Sequence, residues 1–230
     1  MIVNIDENIG LLMEKVDEWD LTDNTLLIFM TDNGTAQGLE IFNAGMRGKK
    51  GTVNEGGCRV PLFMRLPGLT KAEVDVDVLA RHYDILPTLA DIAGAKIPED
   101  LKLDGRSLLP LVKNPKAEWE DRYFFFHKGR WAKDPDNSKH ENFAVRDEKW
   151  RLVGNQLSDI ENDPGENTDV SAEHPQVVAK MRAAYDVWWD EVRPMMINEN
   201  APLDVGKPFL DQFRAQKESD GIPKWSRPEL

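Results

Sequence analysis

Apolar residues Ile2, Ile5, Ile9, Leu12, Met13 and Val16 recur at three- and four-residue spacing, which gathers them on one face of a helix. Asp23-Asn24 interrupts that rhythm, and the continuous apolar run 25–30 (TLLIFM) has the length of a strand. Such a run, without polar alternation, is typical of a strand covered on both faces, as in a parallel sheet. It stops at Thr31-Asp32-Asn33-Gly34. Polar residues at the carboxyl end of a buried strand stand where open α/β sheets place their ligands.

A glycine-rich stretch from Gly45 to Gly57 leads into a second short apolar strand at 61–65. Residues 82–94 read as a helix with Ile85, Leu89, Ile92 and Ala93 inward and Gly94 as its stop. Pro87 fits its first turn if the helix begins near Leu86. Asp104-Gly105-Arg106-Ser107 caps a short apolar segment ending near Val112. From Asn114 the pattern changes: 122–127, 142–146 and 149–153 read as short strands separated by polar turns. A helix over 175–192 follows, with Val178, Met181, Tyr185, Trp188 and Val192 on one side. Strands without intervening helices predict a small antiparallel sheet with one helix packed on it. On that helix the Trp188-Trp189 pair reads as packing rather than as a sugar platform. The expected class is therefore α/β. Residues 1–113 carry a partial sheet with flanking helices, 114–193 the antiparallel subdomain, and 194–230 an extended, polar, Pro-containing tail.

The 230 residues suffice for one large domain, or a domain with a subdomain. With 40% hydrophobic and 30% charged residues the composition is that of a globular protein. No apolar run approaches the roughly 20 residues a membrane span needs. The opening, Met1 to Gly10, lacks a basic segment followed by an apolar one, so it does not read as a signal peptide. It opens inside a helix, which leads to the expectation that an upstream part is missing. The net charge of −12 argues against nucleic-acid or anionic-membrane binding, since both need a basic surface. The single cysteine, Cys58, can form no internal disulfide and reads as a small buried residue.

Against this acidic background one stretch stands out. Between Ala44 and Arg65 lie five basic residues (Arg47, Lys49, Lys50, Arg59, Arg65) and one acid, Glu55. Glycines 45, 48, 51, 56 and 57 surround them, and bare backbone lets an anion approach while Lys and Arg supply charge and donors. No segment fits the phosphate-binding pattern G-x-x-x-x-G-K-[ST]. The upstream Asp32-Asn33 pair offers a carboxylate and an amide oxygen, hard donors suited to Ca²⁺ or Mg²⁺. Taken alone, Asp-Asn-Gly reads as a turn, and Asn33-Gly34-Thr35 also matches a glycosylation sequon.

Taken together, Thr31-Asp32-Asn33-Gly34 and the later block Arg47-Gly48-Lys49-Lys50-Gly51-Thr52-Val53-Asn54-Glu55-Gly56-Gly57-Cys58-Arg59-Val60-Pro61 resemble the sulfatase family of the alkaline-phosphatase-like superfamily. The likeness extends to Asn4-Ile5-Asp6-Glu7-Asn8-Ile9-Gly10, to Asp84-Ile85-Leu86-Pro87-Thr88-Leu89 and to Asp104-Gly105-Arg106-Ser107-Leu108. It continues through Ala144-Val145-Arg146, Lys149-Trp150-Arg151-Leu152 and Glu161-Asn162-Asp163-Pro164-Gly165-Glu166. It covers about residues 1–193, the C-terminal half of such an enzyme. The resemblance implies a partial alkaline-phosphatase-like sheet and a sulfuric ester hydrolase. It makes Asp32 and Asn33 two of the metal ligands, usually for Ca²⁺, and Lys50 the catalytic, sulfate-binding lysine. Glu55 and Arg59 are expected to shape the loop through a local ion pair.

The family's nucleophile is a formylglycine made in a C-x-P-S-R-type motif, and Cys58, followed by Arg59-Val60-Pro61, does not fit it. That motif and the remaining metal ligands are expected upstream, so the chain alone is expected to hydrolyse no sulfate ester. His127 ends the aromatic run Tyr123-Phe124-Phe125-Phe126 and is a candidate substrate contact, the family's C-terminal subdomain lying near the cleft. His82 and His174 each open a helix and read as structural or exposed, and His140 lies in a polar loop. The implied partner is a sulfated small molecule or sulfated glycan. Full-length relatives are expected in the periplasm or outside the cell. Two alternatives stand beside this reading: a phosphatase or phosphodiesterase of the same superfamily, and a non-catalytic module binding anions or a partner chain.

Overall fold

The computed structural model describes residues 2–129, 135–196, 208–219 and 221. The chain forms two compact units, Met1–Trp188 and Trp189–Leu230. Within the first, the order of elements is α1 (Ile2–Glu18), β1 (Leu27–Met30), α2 (Glu55–Cys58), β2 (Leu62–Arg65), α3 (Ile85–Ala93) and α4 (Leu109–Lys113). Then come β3 (Phe124–His127), β4 (Phe143–Arg146), β5 (Trp150–Val153), β6 (Gln156–Asp159) and α5 (Pro175–Val192), whose last residues open the second unit. That unit also contains α6 (Pro208–Ser219), so part of the expected extended tail is helical.

The core sits on the four-stranded sheet, which is antiparallel throughout in the order β3-β4-β5-β6. Side chains alternate across a strand, so each face collects every second residue. One face carries Phe125, Val145, Leu152 and Leu157, brought abreast by the pairings Phe125↔Val145, Val145↔Leu152 and Leu152↔Leu157. Against it lies α5, whose Met181 and Tyr185 are fully buried. Phe143 meets the Tyr185 ring at 4.4 Å, and Phe125 stacks on Trp188 at 5.2 Å. The other face carries Phe124, Phe126, Ala144, Arg146, Arg151, Gln156 and Ser158. Arg146 and Arg151 are 6% and 1% exposed, so this charged face is covered too. All four residues of β4 are buried as a result.

The helices expected at the start of the chain and over 82–94 form, but neither buries the expected face, and the single turn α2 inside the glycine-rich stretch is not marked by the periodicity. Of the described Ala, Val, Leu, Ile, Met, Phe, Tyr and Trp residues before Leu108, only Val53 is buried. In α1 no residue is buried, and Ile2 and Leu12 are 83% and 50% exposed. The 3.6-residue period reports a face able to pack, and among the described residues nothing covers it. In α3 the buried residues are Pro87 and Thr88, whereas Leu89 is exposed rather than inward. The polar network around Asp84 chooses that face, because Thr88 Oγ1 donates to Asp84 O at 2.6 Å and accepts from Leu108 N at 2.8 Å. Gly94 ends the helix in the left-handed region at φ 66°, as expected. The apolar run at 25–30 becomes β1, but it pairs with β2 antiparallel, Leu27 opposite Arg65 and Met30 opposite Leu62, and is half-buried. Its unbroken apolarity therefore does not mark a parallel, doubly covered strand among the described residues. The hydrophobic pattern does not mark β6, because Gln156-Leu157-Ser158-Asp159 carries a single apolar residue.

Asp84 is the second polar anchor. It is fully buried and accepts from Arg81 N at 2.7 Å, Arg106 N at 3.0 Å and the Arg122 guanidinium. It thereby ties the start of α3 to the chain before α4 and to the approach to β3. Beside it, a Cβ on Gly105 would collide with the Tyr83 carbonyl, so this crossing admits only glycine. Asp84→Ala is expected to lower unfolding free energy by about 3–5 kcal/mol, since it removes the carboxylate of the half-buried Arg122 guanidinium and leaves the Arg81 and Arg106 amides unpartnered. Urea unfolding of the variant against the parent measures it.

Candidate functional site

Asp32, Asn33 and Gly34 follow β1 directly, and the loop that carries Lys50 folds back onto them. Gly34 N donates to Gly57 O at 3.1 Å, and Lys50 N donates to Thr35 O at 2.8 Å. A Cβ at Gly34 would collide with the Gly56 carbonyl oxygen, so the close approach requires glycine there. From the other side His82 Nε2 donates to Thr31 O at 2.9 Å. The backbone thus brings the Asp32-Asn33 turn and the Lys50 loop together. Among the described residues the side chains of Asp32, Asn33 and Lys50 make no hydrogen bond or ion pair, unlike most polar groups around them.

The loop's own folding is fixed by the charged face of the antiparallel sheet. Glu55, 4% exposed, opens the single turn of α2, and its carboxylate sits against the Arg151 guanidinium and 3.1 Å from Arg146 Nε. Arg59, the partner expected from sequence, is only at 3.9 Å and 63% exposed, so the local ion pair is the weakest of three. Arg151 also donates to the Val53 carbonyl, Nε at 3.1 Å. Burial lowers the Arg146 pKa and the neighbouring Glu55 carboxylate raises it; the guanidinium stays charged.

A second buried carboxylate completes the tie. Glu166, 1% exposed, accepts from Glu55 N at 2.6 Å and Asn54 Nδ2 at 2.7 Å, capping the start of α2 from a distant part of the chain. Its carbonyl accepts from Arg47 Nη1 at 3.1 Å, and Arg47 also reaches Gln156 at 3.0 Å. Glu166 holds φ 53°, a left-handed conformation costly for a side-chain-bearing residue, kept by these bonds. Sequence reading placed Arg146, Arg151 and Glu166 in family motifs but gave them no task. What could have exposed them is an excess of charge in strands whose neighbours are apolar.

Cys58 is half-buried with Sγ 3.5 Å from Thr52 O. Burial pushes its thiol up, outweighing the lowering by Arg151 and Arg81. It is therefore a poor nucleophile, as the sequence suggests. His127 lies at the end of β3, opposite Phe143. Gly129 N donates to its Nδ1 at 2.9 Å, which makes Nε2 the donor to Ser138 O, also at 2.9 Å. Both ring nitrogens are thus engaged by backbone, so contact with a ligand would fall to the ring's carbon edge or face.

Asp32 and Asn33 supply two unengaged oxygen donors, whereas Ca²⁺ takes about six to eight. Among the described residues no three His, Cys, Asp or Glu side chains converge as a metal site. The two residues fit part of a shell. Among the described residues no helix is long and apolar enough to cross a membrane.

A layered sheet-and-helix fold with a lysine loop latched to an Asp-Asn-Gly turn defines the class, and comparison with known proteins supplies the family. The model described as N-sulphoglucosamine sulphohydrolase, C-terminal, matches residues 48–186, so the chain belongs to that sulfatase family. A sulfatase of Formosa agariphila is 28% identical over 87% of this chain and 39% of its own length. Human steryl-sulfatase is 35% identical over 55% of this chain and 23% of its own. Among solved structures, Ps i-CgsB in complex with k-i-k-neocarrahexaose superposes with a TM-score of 0.67 at 31% identity, covering 82% of this chain and 41% of that one. The chain spans about two fifths of the length of the Formosa sulfatase and less of human steryl-sulfatase. Its structural neighbours have the alkaline-phosphatase-like fold.

Asp163 sets up the turn that presents Glu166. Its carboxylate accepts from Thr168 N at 2.7 Å and from Asn167 N at 2.6 Å, and these amides hold its pKa below the ordinary value of 3.8. A depressed folded pKa adds stability that is complete above the unfolded value and lost as pH falls through the folded one. Thermal melts between pH 5 and about pH 2.5 are expected to decline less steeply below about pH 4 for Asp163→Asn than for the parent.

Proposed function

We propose that this chain supplies one part of the catalytic site of a sulfuric ester hydrolase, with the nucleophile-bearing part lying outside residues 1–230. The observation that carries the reading is the latch itself. Among the described residues the side chains of Asp32, Asn33 and Lys50, and of Lys49 beside it, have no protein partner, and they stand on two segments joined by Gly34–Gly57 and Thr35–Lys50 backbone bonds. Among the described residues of the two segments, Thr31, Thr35, Arg47, Thr52, Asn54 and Glu55 are engaged.

In this reading Asp32 and Asn33 give oxygen ligands to a Ca²⁺ or Mg²⁺ ion, whose chemistry would be Lewis-acid polarisation of a sulfate oxygen. Lys50 donates to a second oxygen and offsets the negative charge that gathers as the S–O bond breaks. The buried Glu55 and Glu166 carboxylates hold the loop and take no proton from substrate, because arginines and amides already occupy them. The substrate class is a sulfated glycan or sulfated small molecule, in keeping with the oligosaccharide bound by Ps i-CgsB. A formylglycine would come from the outside part, since Cys58 is in the wrong motif and carries a raised pKa.

Pure 1–230 is expected to release no sulfate from an aryl sulfate above a Lys50→Ala control, and to bind Ca²⁺ weakly in calorimetry. Lys50-dependent turnover by the chain alone would overturn the reading. The DNA before the Met1 codon is expected to encode an in-frame C-x-P-S-R-type motif. An uninterrupted stop there, with an independently stable monomer, would favour a non-catalytic module instead.

A further inference from the structure

The clamp on Glu55 and the anchor on Asp84 are joined by a layer of arginines and aromatic rings on the charged face of the sheet. Arg151, which pairs with Glu55, lies over the Phe126 ring at 4.7 Å. Arg81 lies over the same ring at 4.2 Å, over Phe124 at 5.3 Å and over Tyr83 at 5.5 Å. Arg122, which pairs with Asp84, lies over Phe124 at 4.8 Å. Guanidinium groups within about 6 Å of a ring centroid are attracted by its π-face, more so when desolvated. Arg81 is the middle member. Among the described residues no carboxylate lies within ion-pair distance of it, so rings provide its main surroundings.

Its place in the chain gives the layer a second reach. Arg81 immediately precedes His82, whose ring holds the Thr31 carbonyl at 2.9 Å, one residue before Asp32. Through Phe126 and Arg151 the same residue borders the clamp on the Lys50 loop. We propose that Arg81 and Phe126 are positioning residues which set the Asp32-Asn33 turn and the Lys50 loop relative to each other. The proposal rests on the reading of those two segments as the metal and sulfate site. Neither residue touches substrate. They act by holding both arms of the site to one sheet face, so that loss of either releases the two arms together.

Amide hydrogen exchange by mass spectrometry on the 1–230 chain tests this without activity. The reporters are Gly34 N, Lys50 N, Gly56 N and Gly57 N, all hydrogen-bonded within the two arms. Arg81→Met is expected to speed exchange about tenfold in peptides spanning 31–36 and 47–58, with strands 143–159 still protected. Arg81→Lys, which keeps a cation near the rings, is expected to restore part of the protection, and Phe126→Leu to reproduce the loss should Arg81→Met fail to fold. Exchange that rises equally across 143–159, or changes only at 81–85, overturns the coupling while leaving the sulfatase reading intact. An NMR titration of the wild-type chain with CaCl₂ and inorganic sulfate separates the other case. No shift at Asp32, Asn33 or Lys50 at any concentration, with exchange coupling intact, removes the site and with it the positioning role.

Discussion

A single carboxylate organises the molecule. Glu55 is buried with two buried arginines from adjacent strands, and a charge so placed is tolerable only when it is paired and hydrogen-bonded. Arg146 and Arg151 stand opposite each other across β4 and β5, so they would repel without it. Each partner therefore makes the burial of the others possible. What the arrangement fixes is geometry: the turn of α2, and with it the glycine backbone that accepts Gly34 and places Lys50 near the end of β1.

This explains why the sheet has two unlike faces, both covered. The face toward α5 is held by area, through Phe125, Phe143, Val145, Leu152, Leu157, Met181 and Tyr185. The opposite face is held by direction, through guanidinium groups that can bond a carboxylate and a carbonyl at once. Apolar packing tolerates small slips. A fork of hydrogen bonds does not, and a loop that must present an ammonium group to a small anion gains from being held that way. The left-handed Glu166 and the glycine-only contact at Gly34 are further places where ordinary backbone freedom has been given up around the same loop.

The sequence disclosed some of this and hid the rest for identifiable reasons. Helix periods, the small antiparallel sheet and the Gly94 stop were legible because they depend on local pattern. The basic, glycine-rich loop was legible as an anomaly in an acidic chain, and the resemblance gave it a family. The faces of α1 and α3 were not, because a hydrophobic stripe states what could be buried, not what a buried Asp84–Thr88 network selects. The antiparallel pairing of β1 with β2 was hidden because an apolar run has no strand direction in it. Arg146, Arg151 and Glu166 stayed without a role since their partner lies about a hundred residues away, beyond any local spacing rule. His82, whose place at a helix start reads as structural or exposed, is exposed and still holds the carbonyl beside the candidate site.

The most direct measurement is a double-mutant cycle on unfolding free energy with Glu55→Gln, Arg151→Met and the pair. If the buried ion cluster fixes the loop, the two changes are strongly coupled, by more than about 1.5 kcal/mol, because Glu55→Gln alone strands two buried guanidinium groups and, once Arg151 is removed, strands only that of Arg146. Additive effects within about 0.5 kcal/mol would show that loop and sheet are held by something else, and the account built on Glu55 would fail.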